Sequence, residues 1–162
     1  MTELFNFYSL IPKSKDGGKM KGFKNHFIEP NSRILMIGSS GSGKTNALLN
    51  FIERSSGEFN KIIICSFSTT DEPLYNLLKS KIPDVELIND IDEVPHVQEF
   101  VDKNKNKSKL IVFDDFINLN KMQMGILADY ARSSRKFGLL VFLCLNHIQA
   151  FPKSLAEIVI IL

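Results

Sequence analysis

Gly38-Ser39-Ser40-Gly41-Ser42-Gly43-Lys44-Thr45 puts two glycines five residues apart and follows the second with a lysine and a hydroxyl. Every fixed position of G-x-x-x-x-G-K-[ST] is filled. Glycines let a backbone wrap phosphate oxygens with its N–H groups, and a helix starting there adds the positive end of its dipole. Lys44 is then placed to neutralise the β and γ phosphates, and Thr45 to offer its hydroxyl to Mg²⁺. The candidate nucleotide-binding set is Gly38, Ser39, Ser40, Gly41, Ser42, Gly43, Lys44, Thr45 and the adjoining Asn46, with ATP and Mg²⁺ as the expected ligands. The competing reading is a Gly/Ser-rich linker. A chance match in a chain this long is on the order of one in a hundred or rarer at average glycine usage, which weighs against it.

Further along, Leu110-Ile111-Val112-Phe113-Asp114-Asp115 is an apolar run ending in two carboxylates. At the C-terminal end of a parallel strand, where such sheets bind ligands, Asp114 would hold Mg²⁺ together with Thr45, and Asp115 would polarise the attacking water. The plainer reading makes this pair a turn or a helix cap. A second polar strand end follows the apolar run 139–145: Asn146 is the candidate for sensing the γ-phosphate or orienting water, Gln149 is the reserve, and His147 reads as a surface or packing residue. Arg132 and Arg135 fall near the end of a helical pattern, where a cation suits the helix dipole. The functional option is Arg135 as an arginine finger reaching a neighbouring subunit's nucleotide.

These groups need a scaffold that brings strand ends together. Apolar runs at 34–37, 62–66, 85–88, 110–113, 139–145 and 158–162 alternate with amphipathic stretches at 44–54, 72–81, 94–104 and 121–136. Such alternation predicts an α/β fold, and strands that are apolar throughout must be covered on both faces. The expectation is a three-layer αβα P-loop NTPase with a mainly parallel central sheet. Residues 1–30 lack a sustained period and read as an N-terminal arm, leaving 31–162 as a single P-loop domain. The Lys/Asn run 103–109 reads as a solvated turn, with DNA contact as the alternative.

Composition narrows the field. No apolar run approaches the roughly 20 residues that cross a bilayer, and no secretory signal stands at the start, so a soluble protein with no membrane partner is expected. Cys65 and Cys144 each sit in an apolar run and read as two buried thiols in a reducing compartment. A net charge of +2 gives no global sign of a nucleic-acid partner.

The phosphate loop, LIVFDDF at 110–116, Arg135-Lys136-Phe137-Gly138 before an apolar strand, and LCLNHIQAFPK at 143–153 come in the order seen in the HerA/FtsK-like genome-packaging ATPases of poxvirus-like large DNA viruses and virophages. The stretch from Cys65 to Tyr75 also resembles the second strand and following helix of those proteins. The likeness runs over roughly residues 28–153. Asn146 falls where that family usually carries a sensor glutamine, Lys136 where it often has a histidine, and Ala156 where an arginine commonly follows. The resemblance implies an ATP-hydrolysing motor that moves double-stranded DNA into a capsid without sequence preference. It also implies a homo-oligomeric ring whose active sites lie between subunits, capsid proteins as partners, and a place in the host cytoplasm, at the viral assembly site or in the virion. The family also leads one to expect a longer chain than one ending at Leu162, so a missing terminal portion or a compact member is anticipated.

Two other classes stay open. A nucleotide kinase shares the loop and the size, although no Arg-rich lid or Cys quartet is present, and a non-catalytic assembly protein could use ATP only to hold an oligomer. A GTPase is disfavoured, because no Asn-Lys-x-Asp sequence follows the fourth strand.

Overall fold

The structure, a computed structural model, describes residues 20, 23–55, 57–67, 73–82, 84–100, 108–116, 119–146 and 159–161. Its strands are β1 (Arg33–Ile37), β2 (Phe59–Ser66), β3 (Val85–Ile88), β4 (Ser108–Asp114), β5 (Leu139–Leu145) and β6 (Val159–Ile161). Its helices are α1 (Phe23–His26), α2 (Lys44–Arg54), α3 (Pro73–Lys81) and α4 (Lys121–Ser133). All six strands form one sheet in the order β3-β2-β4-β5-β1-β6, and every pairing is parallel. Parallel neighbours require crossovers over the sheet faces, which is why the strands read as continuous apolar runs.

The pleat divides those runs between two cores. Ile34, Met36, Ile62, Ile64, Leu110, Val112, Leu140 and Phe142 pack with Leu48, Phe51 and Ile52 of α2 and with Tyr75 and Leu78 of α3. Leu35, Ile37, Ile63, Ile111, Phe113, Val141 and Leu143 point the other way, against Leu127 and Tyr130 of α4. The three-layer αβα arrangement expected from the sequence is therefore present, with strand residues alternating between the layers as a period of two demands. Met20 and Ile28, from the stretch read as an arm, are buried on the α2 face. Cys65 and Cys144 are buried and unpaired.

One expected element is different. The α-helix predicted over 94–104 is absent across its described residues; within that span stands a 3₁₀ turn, Val97–Phe100, and another, Ile91–Glu93, comes just before it. Pro95 has no backbone N–H and biases the preceding residue towards extended backbone, and Val94 is indeed extended, with φ −67° and ψ 128°. Ile91, Val94, Val97 and Phe100 recur at intervals of three and all are buried. That spacing fits 3.0 residues per turn, although it also resembles one face of an α-helix. A smaller difference follows α4, which ends at Ser133 and tightens into a 3₁₀ turn, Ser134–Phe137, instead of continuing to residue 136.

Phe142 at the centre of the sheet meets Phe51 with ring centroids 5.0 Å apart, joining α2 to the strand beneath it. Replacing Phe142 with Ala should lower unfolding free energy by about 3–5 kcal/mol, read from urea melts, because the cavity would be closed in by the flanking strands. A loss below about 1 kcal/mol would mean that this layer repacks freely.

Candidate functional site

The phosphate loop leaves β1 at Gly38, whose N–H donates to Leu145 O at 3.2 Å, and turns through a Ser42 N–H···O Ser39 bond of 3.1 Å. Gly41 (φ 78°) and Gly43 (φ 90°) occupy the left-handed region, where a Cβ is strained, so the second fixed glycine of the motif and the glycine between the fixed pair meet a backbone requirement. Gly43 is the N-cap of α2 and no side chain caps that end. By contrast, α4 begins with a complete capping box, Asn120 accepting from Gln123 N and Gln123 answering the Asn120 N–H. The first N–H groups of α2 thus lack the side-chain acceptor that α4 has, and an anion in the loop would provide one.

Lys44 is only 7% exposed. Its ammonium donates to Gly38 O (2.8 Å), Ser39 O (3.1 Å) and Asn146 Oδ1 (2.8 Å). All three acceptors are neutral, so none of these bonds is an ion pair. Asn146 in turn donates from Nδ2 to Asp115 Oδ1. One amide therefore joins the loop lysine to the second carboxylate of β4. Asp115 has φ 57°, an uncommon backbone that aspartate tolerates better than most residues, and its N–H bonds Cys144 O at 3.3 Å.

Asp114 is 5% exposed and ends β4 beside the loop. Thr45 Oγ1 donates to its Oδ2 at 3.4 Å, and the Tyr75 hydroxyl donates to the same oxygen. Burial raises the Asp114 carboxyl above its ordinary range and Asp115 adds to this; the Tyr75 hydrogen bond, Lys44 and Thr45 pull the other way. The Tyr75 phenol is pushed far up by burial and then by Asp114, so it remains an O–H donor. Burial likewise lifts the Cys144 thiol beside Asp114 well above its usual value, leaving it inert.

These groups line a cleft of about 290 Å³ at the C-terminal edge of the sheet. Ser40, Gly41, Gly43, Lys44, Thr45 and Asn46 form the loop side, and Asp114, Asp115, Asn146 and Tyr75 face them. The strand order is responsible: β5 lies between β1 and β4, so Asn146 at its tip stands between the loop and the acidic strand end. The residues fit a triphosphate with its magnesium. Thr45 and Asp114 are hard oxygen donors in contact, and among the described residues no cluster of three or more His, Cys, Asp or Glu could hold a metal unaided. Magnesium commonly takes one or two protein oxygens and completes its shell from phosphates and water.

Arg135 is not brought to this cleft. Its backbone lies in the turn before β5, whose seven residues span about 23 Å, so it stands at the opposite edge of the sheet from Asn146. The side chain of Arg135 lies outside the described part of the structure, as do His147 and Gln149 and most of the Lys/Asn run 103–109. Arg132 is exposed and tied to its own helix, pairing with Asp129 at 2.9 Å. Tyr75 is the site residue that sequence reasoning missed. Its signal was weak: an aromatic in a helical pattern reads as core, and Tyr75 is core in its ring and site in its hydroxyl.

No family model and no curated protein matches the chain. Solved structures do resemble it. The cytoplasmic domain of EssC aligns over 81% of this chain at 16% identity with a TM-score of 0.57. The pCW3 conjugation coupling protein TcpA, solved with ATPγS, aligns over 76% at 16% identity and 0.52. A KaiC-like protein of the archaeon Pyrococcus horikoshii aligns over 93% at 14% identity and 0.55. The chain spans 31% of EssC and 45% of TcpA, against 81% of the KaiC-like protein. At these identities the likeness concerns the fold, and the fold is that of P-loop NTPases. Among the described residues no helix is long and apolar enough to cross a membrane.

Because the folded chain holds the Asp114 proton more tightly than the unfolded chain, this group's contribution to stability falls as pH rises. The fall begins at the ordinary aspartate value of about 3.9 and is complete above the raised folded value. In metal-free, nucleotide-free buffer, Asp114→Asn should therefore melt about 2–4 °C above wild type at neutral pH, for a gain of about 1 kcal/mol, and the advantage should shrink towards acid pH. A variant less stable than wild type at neutral pH would show that the buried carboxylate carries no net penalty.

Proposed function

We propose that the chain is an ATP-hydrolysing motor domain that translocates double-stranded DNA, and that its task is to drive a viral genome into a capsid. The observation that supports hydrolysis, as distinct from mere binding, is the connection Lys44–Asn146–Asp115. Lys44 binds the transferring phosphoryl group, and Asn146 holds the Asp115 carboxylate at a fixed distance from it. Asp115 then accepts the proton of the attacking water. Thr45 and Asp114 would hold the magnesium, which would supply positive charge to offset the negative charge of the β and γ phosphates. The glycine-permitted loop and the uncapped α2 end orient the phosphate chain. For a nucleotide kinase the same loop would need a second acceptor subsite.

The DNA and capsid parts rest on the order of the later motifs, LIVFDDF, Arg135-Lys136-Phe137-Gly138 and LCLNHIQAFPK, which resemble the packaging ATPases. The fold shared with TcpA, a conjugation coupling protein, is compatible with this reading. Arg135 belongs to it as the finger that completes a neighbour's site: at the far edge of the sheet it cannot serve its own cleft, whereas in a ring it can face the next one. The ring assembles on capsid proteins, in the host cytoplasm or at the viral assembly site, and grips DNA through phosphates without reading sequence.

Wild-type protein should hydrolyse ATP faster when duplex DNA of any sequence is added at assembled concentrations, and the stimulation should fade as salt rises. Equal rates with and without DNA in a confirmed oligomer would remove translocation, and transfer to a nucleoside monophosphate would establish a kinase instead. Within the site, Asp115→Asn should leave ATP affinity near wild type and lower turnover by about 10²–10⁴-fold. Lys44→Ala should weaken binding itself by about 10–100-fold, the worth of a charge-assisted hydrogen-bond set of 1.5–3 kcal/mol. Undiminished hydrolysis by Asp115→Asn would take that residue out of the mechanism.

A further inference from the structure

Three elements meet on a single carboxylate oxygen. Asp114 Oδ2, at the end of β4, accepts from Thr45 at the start of α2 and from Tyr75 in the first turn of α3. Tyr75 is 1% exposed and belongs to the buried core on the α2 and α3 face of the sheet, so the phenol has little freedom to point elsewhere. A hydroxyl carries one proton and two lone pairs. Thr45 has another task in a magnesium site, because its oxygen must face the cation. Tyr75 has no such task, and no phosphate loop sequence includes it. Its proton goes to Asp114 Oδ2, at a place where rotation of Asp114 would move the metal-binding oxygens.

We propose that Tyr75 is the positioning residue of the magnesium site: its hydroxyl fixes the rotamer of Asp114 and fastens the first turn of α3 to the metal-binding end of β4. The proposal deepens the nucleotide reading given above and rests on it. Groups that hold a metal ligand from behind orient it and tune its basicity, and their removal costs about 10–100-fold in metal affinity. Tyr75 should therefore act on the metal and only through Asp114.

The test uses the full chain and a fluorescent N-methylanthraniloyl ATP, titrated with Mg²⁺ after an EDTA baseline. Tyr75→Phe keeps the ring and removes only the donor. It should raise the Mg²⁺ concentration for half-maximal metal-dependent binding by about 10–100-fold, while metal-free nucleotide affinity stays at the wild-type value. In an Asp114→Asn background the same change should add nothing, since the two residues form one path. The chain has three tyrosines and no tryptophan, so wild type also offers a direct signal. Mg²⁺ added to the ATP-loaded protein should perturb the near-ultraviolet tyrosine band, and the perturbation should be missing from Tyr75→Phe. An unchanged Mg²⁺ midpoint in the variant, an equal loss with and without metal, or additive effects with Asp114→Asn would each overturn the role of Tyr75 while leaving the nucleotide site intact. Wild type that binds ATP with no dependence on Mg²⁺ would instead overturn the site reading, and the proposal with it.

Discussion

A buried ammonium group held only by neutral oxygens dominates the chemistry of this molecule. Lys44 is almost fully withdrawn from water, and its three hydrogen bonds go to two loop carbonyls and one amide. Burying a charge is expensive unless it is paired, and hydrogen bonds to neutral groups recover only part of that cost. The two carboxylates nearby are engaged with other donors, Asp114 with two hydroxyls and Asp115 with an amide. A polyanion entering the loop would meet a positive charge already oriented. Preorganisation of this kind gives electrostatic stabilisation its effect, because little reorganisation is left to perform when the ligand arrives or the transition state forms.

Sheet topology makes that arrangement available. Had β4 been the direct neighbour of β1, the acidic strand end would abut the loop with no room for a third group between them. With β5 inserted, the cleft acquires a polar tip whose amide faces Lys44 on one side and Asp115 on the other. Each layer contributes to this placement. Leu48, Phe51 and Ile52 seat α2 on the sheet, and so aim its uncapped end at the cleft. Tyr75 and Leu78 seat α3 nearby, and α4 on the opposite face supports β4 and β5 from below.

Much of this was readable from the sequence because both signals involved are local. The loop motif names its own backbone geometry, and runs of consecutive apolar residues announce strands buried on both faces. Lys44, Thr45, Asp114 and Asn146, each singled out at a strand end or in the loop, line one cleft. What escaped were features set by tertiary context. The residues from Ile91 to Phe100 carry a three-residue apolar spacing that suits an α-helix and a 3₁₀ turn almost equally, and Pro95, without a backbone N–H and with extended Val94 before it, breaks the run into two turns. Tyr75 escaped because its two ends have different roles, and no pattern in sequence says that a core aromatic sits one hydroxyl away from a metal ligand. Strand order, too, is a property of crossovers that sequence does not spell out.

The most direct test of the central claim asks whether the loop recognises phosphates as such, apart from any base or sugar. Calorimetry of wild type and Lys44→Met with inorganic tripolyphosphate and Mg²⁺ would isolate that contribution. Tripolyphosphate should bind the wild type, compete with ATP for a single site, and lose its heat of binding in Lys44→Met. Well-folded wild type that takes up ATP but shows neither heat nor competition from tripolyphosphate would contradict it, since the buried lysine would then not be the anion's partner.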